Sequence, residues 1–243
     1  MSQLKTAGRK AAAGRARSAT RTLSARDAVL ASKNRFWRPG DLAGANSTVH
    51  HLLSGLASQG ELRRVRRGLY WRGTRTPLGM SPPPVDALVD ALAGHEGVGP
   101  AGLSAANLLR LSTQVPRAAQ VAVPARPPGG VGPVTFVSRA RRTARRTQRL
   151  QPAEVALLET LGDWDRVVEL APEDARRRLV ELIRDRAVRP DKLVKASRTE
   201  PAAVRARLAA ALEDAGEHAL ATQVPKVDPR SRAARAVPAR GEA

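Results

Sequence analysis

Residues 46–60 read NSTVHHLLSGLASQG, with Val49, Leu52, Leu53 and Leu56 at i, i+3, i+4 and i+7. That spacing gathers four branched apolar side chains on one stripe of an α-helix. Asn46 and Ser47 are good N-caps for this helix. Gly60 reads as its stop, one residue beyond the C-cap. ELRRV and GLYW come at once after it, around Arg66, Arg67 and Gly68. Gly68 supplies the positive φ that a tight hairpin turn often needs, so the two runs read as short antiparallel strands. Upstream, Ser24 opens a variant capping box, SARD, and Leu23 can staple onto Ala28. A first helix should then run to about Asn34. FWRPGDLAG reads as a second, very short helix, entered at Arg38-Pro39 and stopped by Gly44. Residues 24–75 thus give helix, helix, helix, hairpin, the order of a winged helix-turn-helix.

The rest of the chain has a different texture. Residues 76–81 read as a linker, since Gly and Pro break any period there, and Pro82 to Pro84 stiffen the connection. Val85, Leu88, Ala91 and Leu92 mark an amphipathic helix, and GLSAANLLRL another. AQVAVP and VTFVS read as strands separated by the loop ARPPGGVGP. Helices are expected at QPAEVALLETL, PEDARRRLVELIRDRA and EPAAVRARLAAALEDAG, with RPDKLVKAS as a short one between the last two. The fold class expected is α+β: an N-terminal winged helix-turn-helix domain, then a mostly helical α/β C-terminal domain with a short sheet. The domain reading is a disordered basic arm over 1–23, a DNA-binding domain over 24–75, the linker over 76–81, a C-terminal domain over 82–221, and a disordered basic tail over 222–243.

Charge separates these parts. The chain carries a formal net charge of +20. Residues 24–75 hold 10 basic and 3 acidic side chains and residues 76–150 hold 9 and 3, whereas residues 151–221 hold 12 and 14, so the excess sits in the first 150 residues and the C-terminal tail. A bias towards arginine in the whole chain would not leave one segment balanced. The excess therefore points to a polyanionic partner for the N-terminal part. There are no cysteines, which excludes disulfides and Cys-based zinc sites. No run of 18 apolar residues occurs, so no membrane span is expected. MSQLKTAGRKAAAGRARSATRTL lacks an apolar core and does not read as a secretory signal. A cytoplasmic protein is expected.

The helix period gives the candidate contacts. With the apolar stripe centred near Val49 and Leu56, Ser47, His51, Ser54 and Ser58 fall opposite it, flanked by Thr48 and His50. These polar tips are short enough to approach base edges and phosphates in a major groove. In the hairpin, Leu62, Val65, Leu69 and one or both of Tyr70 and Trp71 can face inward. Arg63, Arg64, Arg66 and Arg67 are left at the edge and tip, where arginine holds phosphate. Arg38, at the entry to the second helix, completes the DNA-binding set. The run RARRTARRTQR holds six arginines and is open to three readings: a solvated loop, a second nucleic-acid patch, or a dock for an acidic surface.

Catalytic patterns are sparse. His50, His51, His95 and His218 are in no metal-ligand spacing, and neither a phosphate loop nor a G-x-S-x-G elbow occurs. Asp191, Lys192 and Lys195 echo a nuclease core only faintly, without a strand-borne acid and lysine. No catalytic residue, metal site or cofactor is expected, and the chain does not read as an enzyme.

The stretch DLAGANSTVHHLLSGLASQGELRRVRRGLYWRG resembles the N-terminal winged helix of AbiEi-type antitoxins. Leu56, Gly60, Leu62, Arg64, Val65, Arg67, Gly68, Leu69 and Tyr70 match the family's signature, and RLQPAEVALLETL is similar to the start of its C-terminal helical region. The resemblance implies an operon repressor that binds double-stranded operator DNA and acts as the antitoxin to a nucleotidyltransferase toxin. Two alternatives stay open: a nucleic-acid-binding winged helix joined to a degenerate nuclease-like domain, and a DNA-binding regulator unrelated to any toxin.

Overall fold

The computed structural model describes residues 25–226. The basic arm, Ser24 and most of the tail lie outside the described residues. The chain is mixed α and β, and divides between Pro84 and Val85 into two compact units.

In the first unit, helix α1 spans residues 25–31. It stops short of the expected end, and Asn34 turns the chain with φ of 51°. Strand β1 (Arg35–Trp37) comes next, where no strand was expected. The expected second helix is a single 3-10 turn, Pro39–Asp41, closed by Asp41 Oδ2 accepting the Arg38 N–H at 2.7 Å. Helix α2 spans Asn46–Ser58 with Ala45 as its N-cap. Asn46 and Ser47 are therefore inside the first turn, and neither caps it. The C-terminus closes as expected: Gly60 has φ of 73°, Glu61 N–H bonds Leu56 O at 2.9 Å, and Gly60 N–H bonds Ala57 O at 3.1 Å. These two crossed bonds satisfy carbonyls that a helix end would leave unpaired.

Strands β2 (Arg63–Arg66) and β3 (Leu69–Arg72) form the hairpin around Arg67 and Gly68, the latter with φ of 73°. The sheet order is β1-β3-β2, both pairs antiparallel. The extra strand explains why Tyr70 and Trp71 are both buried: β3 is central. Tyr70 joins Val29, Trp37, Val49, Leu53, Leu56 and Leu62 in one core. Trp71, pointing the other way, meets its register partner Phe36 at 4.7 Å between ring centroids. The region expected as a linker instead forms a second hairpin, β4 (Arg75–Thr76) with β5 (Gly79–Met80). Gly73 N–H donates to Met80 Sδ at 3.2 Å, and Met80 is buried, so the hairpin has an anchor that its Gly and Pro content did not advertise.

The second unit begins with α3 (Val85–Ala93). Its sheet has the order β6-β7-β8, from Gly99–Pro100, Ala119–Val123 and Val134–Ser138. β7 and β8 run parallel, from Ala119↔Val134 to Val123↔Ser138. Helix α4 (Gly102–Leu108) and helix α6 (Pro152–Gly162) pack together, and α6 also meets β6. Every residue of α6 from Glu154 to Leu161 is buried. A helix closed in all round must answer its own charges. Glu154 receives Arg189 Nε at 2.6 Å. Glu159 receives arginines of the RARRTARRTQR segment, which folds into a turn and the short helix α5 (Ala144–Thr147). Helices α7 (Trp164–Val167), α8 (Pro172–Arg184), α9 (Pro190–Ala196), α10 (Ala202–Asp214) and α11 (His218–Ala221) complete the unit. Among the described residues no helix is long and apolar enough to cross a membrane.

Candidate nucleic-acid interface

The stripe Val49, Leu53 and Leu56 is buried, and this fixes the rotation of α2. Ser47, Thr48, His50, His51, Ser54 and Ser58 are all exposed as a result. The hairpin is held in place beside them by Leu62, Leu69 and Tyr70. Between the two elements lies a shallow concavity of about 380 Å³. His50, His51 and Ser54 line it from the helix, and Arg64, Arg67, Gly68 and Tyr70 from the hairpin. Five of the sequence-predicted residues are thus brought to one surface by two separate elements.

The other five are exposed but outside the concavity. Ser47 and Thr48 lie in the first turn of α2, and Arg38 before the 3-10 turn. Arg66 sits at the hairpin end. Arg63 leans back, its Nη1 at 3.5 Å from Met80 O. The split between the arginines has a local cause. The β2–β3 register shifts between Arg64 and Arg66, so simple alternation of faces fails there. Val65, expected to face inward, is only half-buried.

Two further arginines of this unit have structural work. Arg72 Nη1 bonds Glu61 O at 2.9 Å and its Nη2 bonds Leu30 O at 3.2 Å, tying α1 to the hairpin base. Arg75 pairs with Glu61 at 2.8 Å. Glu61 is therefore spent on Arg72 and Arg75, and it lines no part of the concavity. Arg35 lies over the Trp37 ring at 4.2 Å. Sequence reasoning missed Tyr70 and Gly68 as lining residues. Their apolar neighbours marked the hairpin as packing, which hid that its turn also forms the wall of a surface hollow.

In the second unit, half of the arginine run is tied to buried carboxylates of the same unit. Arg145 is fully buried and binds Glu200 twice, at 2.6 and 2.9 Å, and Glu159 at 2.6 Å. Arg139 reaches Glu159 at 2.7 Å and Arg142 reaches it at 2.8 Å. Burial opposes the charge on Glu159, but the Arg139 hydrogen bond and the Arg145 and Arg142 charges outweigh it and hold its carboxyl below the usual range. Half of the run is thus a buried ion cluster, which none of the three readings described. Glu154 is likewise held low, burial being outweighed by the Arg189 hydrogen bond. Asp191 and Lys195 form an exposed i, i+4 contact at 3.8 Å on α9. Among the described residues no three His, Asp or Glu side chains gather as metal ligands.

No protein-family model matches the chain, and no curated protein matches it. Among solved structures, the crystal structure of the RV2827C protein from Mycobacterium tuberculosis is similar, with 16% identity and a TM-score of 0.44 over 79% of this chain and 78% of that chain.

Proposed function

We propose that the first unit is a winged helix-turn-helix that binds duplex DNA, with α2 as the recognition helix and the β2–β3 hairpin as the wing. The observation that carries this reading is the shared concavity, where His50, His51 and Ser54 of α2 face Arg64 and Arg67 of the hairpin. Short hydrogen-bonding tips on a helix and guanidinium groups beside it match the two kinds of contact such a complex needs: base edges and phosphates. The excess of basic over acidic side chains in residues 24–75 supplies the attraction. Selection of bound sequences from a random duplex pool tests the reading. Enrichment of one motif, lost when His51 and Ser54 are both replaced by alanine, is expected. A pool that stays random would remove the claim of sequence reading.

The biological role we propose is that of a transcriptional autorepressor and antitoxin in the cytoplasm, opposing a nucleotidyltransferase toxin. It rests on the resemblance carried by DLAGANSTVHHLLSGLASQGELRRVRRGLYWRG. The adjacent reading frame should encode a nucleotidyltransferase that arrests growth when expressed alone, and co-expression of this chain should restore growth. Growth arrest that persists would leave a DNA-binding regulator without a toxin partner.

A further inference from the structure

Gly55 lies inside α2, where glycine costs about 1 kcal/mol relative to alanine. A helix accepts that cost when a neighbour leaves no room for a methyl group. Here a Cβ added at Gly55 meets nothing within 4 Å. The fold itself therefore gives no reason for glycine at this position.

The place of Gly55 on the helix suggests one. Measured from Val49 at 100° per residue, His50, Ser54 and His51 lie at about 100°, 140° and 200°, and all three line the hollow shared with the hairpin. Ser47, Ser58 and His51 lie outermost, at about 160–200°. Thr48 and Gly55 occupy the other flank together, at about 240–260°. Thr48 is exposed and Gly55 half-exposed. A helix lying in a major groove has one sugar–phosphate strand on each side. The hairpin arginines border one flank; on the other, Thr48 and Gly55 lie between the outermost side chains and Gln59, at about 280°, which accepts from Arg26 of α1 at 3.4 Å.

Resting on the DNA-binding reading, we infer that Gly55 is the point of closest approach between α2 and the strand remote from the hairpin. The missing side chain lets the helix backbone come down onto that strand. Thr48, two turns nearer the N-terminus on the same flank, donates its hydroxyl to a phosphate oxygen there.

The test is Gly55→Ala in the full chain, with melting followed by circular dichroism and binding to a fluorescent mixed-sequence duplex followed by anisotropy at one salt concentration. The melting transition of the first unit should rise by about 4–8 °C, because alanine favours the helix and meets no clash. It should nevertheless bind about five- to 150-fold more weakly, the effect of forcing a methyl group into a close contact. Thr48→Val should weaken binding without the rise in melting temperature. A Gly55→Ala variant that binds as tightly as wild type overturns the inference and leaves the DNA-binding reading standing. One that melts lower shows that the glycine serves the fold, and also overturns it. Wild-type chain that does not bind duplex DNA removes the reading on which the inference rests.

Discussion

Arginine occupies two opposite settings in this chain, buried against carboxylates and exposed on the surface. Arg145 is fully buried between Glu159 and Glu200. Removing its guanidinium leaves Glu200 with only the longer Arg142 contact at 3.4 Å. Arg145→Met should therefore destabilise the second unit by about 3–5 kcal/mol, as breaking a buried pair does. Arg149 pairs with Glu96 in the open, and Arg149→Ala should change stability by less than about 1 kcal/mol. Urea denaturation of both variants checks the contrast, and equal losses would contradict it. In the first unit Arg64, Arg66 and Arg67 are exposed. Replacing Arg66 and Arg67 together with alanine should weaken binding to all duplexes by a similar factor, because hairpin-tip arginine holds phosphate. His51→Ala should instead cost about 1–3 kcal/mol on the preferred sequence alone. Anisotropy titrations on preferred and scrambled duplexes separate these effects. If the arginine pair carries the sequence preference, the hairpin is the reader, by arginine in a narrow minor groove.

At the scale of elements, α6 sets the acid tolerance of the second unit. Glu154 and Glu159 both lie on it, both are buried, and both are held below their ordinary range by arginine. An acid whose pKa is lowered on folding stabilises the native state fully above its unfolded value, about 4.3–4.5, and loses that contribution as pH falls through the lowered folded value. Glu169 adds to the same side: hydrogen bonds from Ser112, Thr113 and Gln114 hold it at about 2. The melting temperature of the second unit should be flat between pH 7 and 5 and then fall steadily towards pH 3. Glu159→Gln should lower the plateau and flatten the fall, and a wild-type profile unchanged down to pH 3 would show that these pairs do not couple to folding. The ion cluster was not legible in the sequence for a physical reason. Six arginines in eleven residues look solvated until a distant chain segment supplies the carboxylates, and Glu200 lies 55 positions from Arg145. α2 and the β2–β3 hairpin were legible because their signals are local: a 3.6-residue stripe, and glycine where φ is positive. β1 was not, since Arg35–Trp37 becomes a strand only by pairing with β3. The β4–β5 hairpin escaped notice because its anchor, Met80, lies among the very residues that break periodicity.

Charge is unevenly spread over the molecule, and how much of it is paired predicts how binding should partition. Residues 24–75 carry 10 basic and 3 acidic side chains, and Glu61, one of the three, is already paired with Arg72 and Arg75. Residues 85–150 of the second unit also hold 9 basic and 3 acidic side chains, but Arg139, Arg142 and Arg145 among them are spent on Glu159 and Glu200. Residues 151–221 are nearly balanced, and several of their arginines are tied to acids of the same unit, such as Arg176 to Asp214 and Arg189 to Glu154. Duplex binding should therefore reside in the first unit. If it contacts about six phosphates, log K should fall against log salt with a slope of about −5. A fragment starting at Val85 should fold independently, since the chain divides there and the apolar core around α6 is complete without the preceding residues. The exposed Arg141 and Arg146 leave this fragment some weak, non-selective attraction to polyanions, so competitor DNA belongs in the assay. With competitor present, the full chain should retain the preferred duplex with the steep salt dependence, and the Val85 fragment should not. Binding by the fragment at full-chain affinity would move the DNA-reading surface into the second unit, and a slope near zero for the full chain would show that the arginines beside α2 face solvent in the complex.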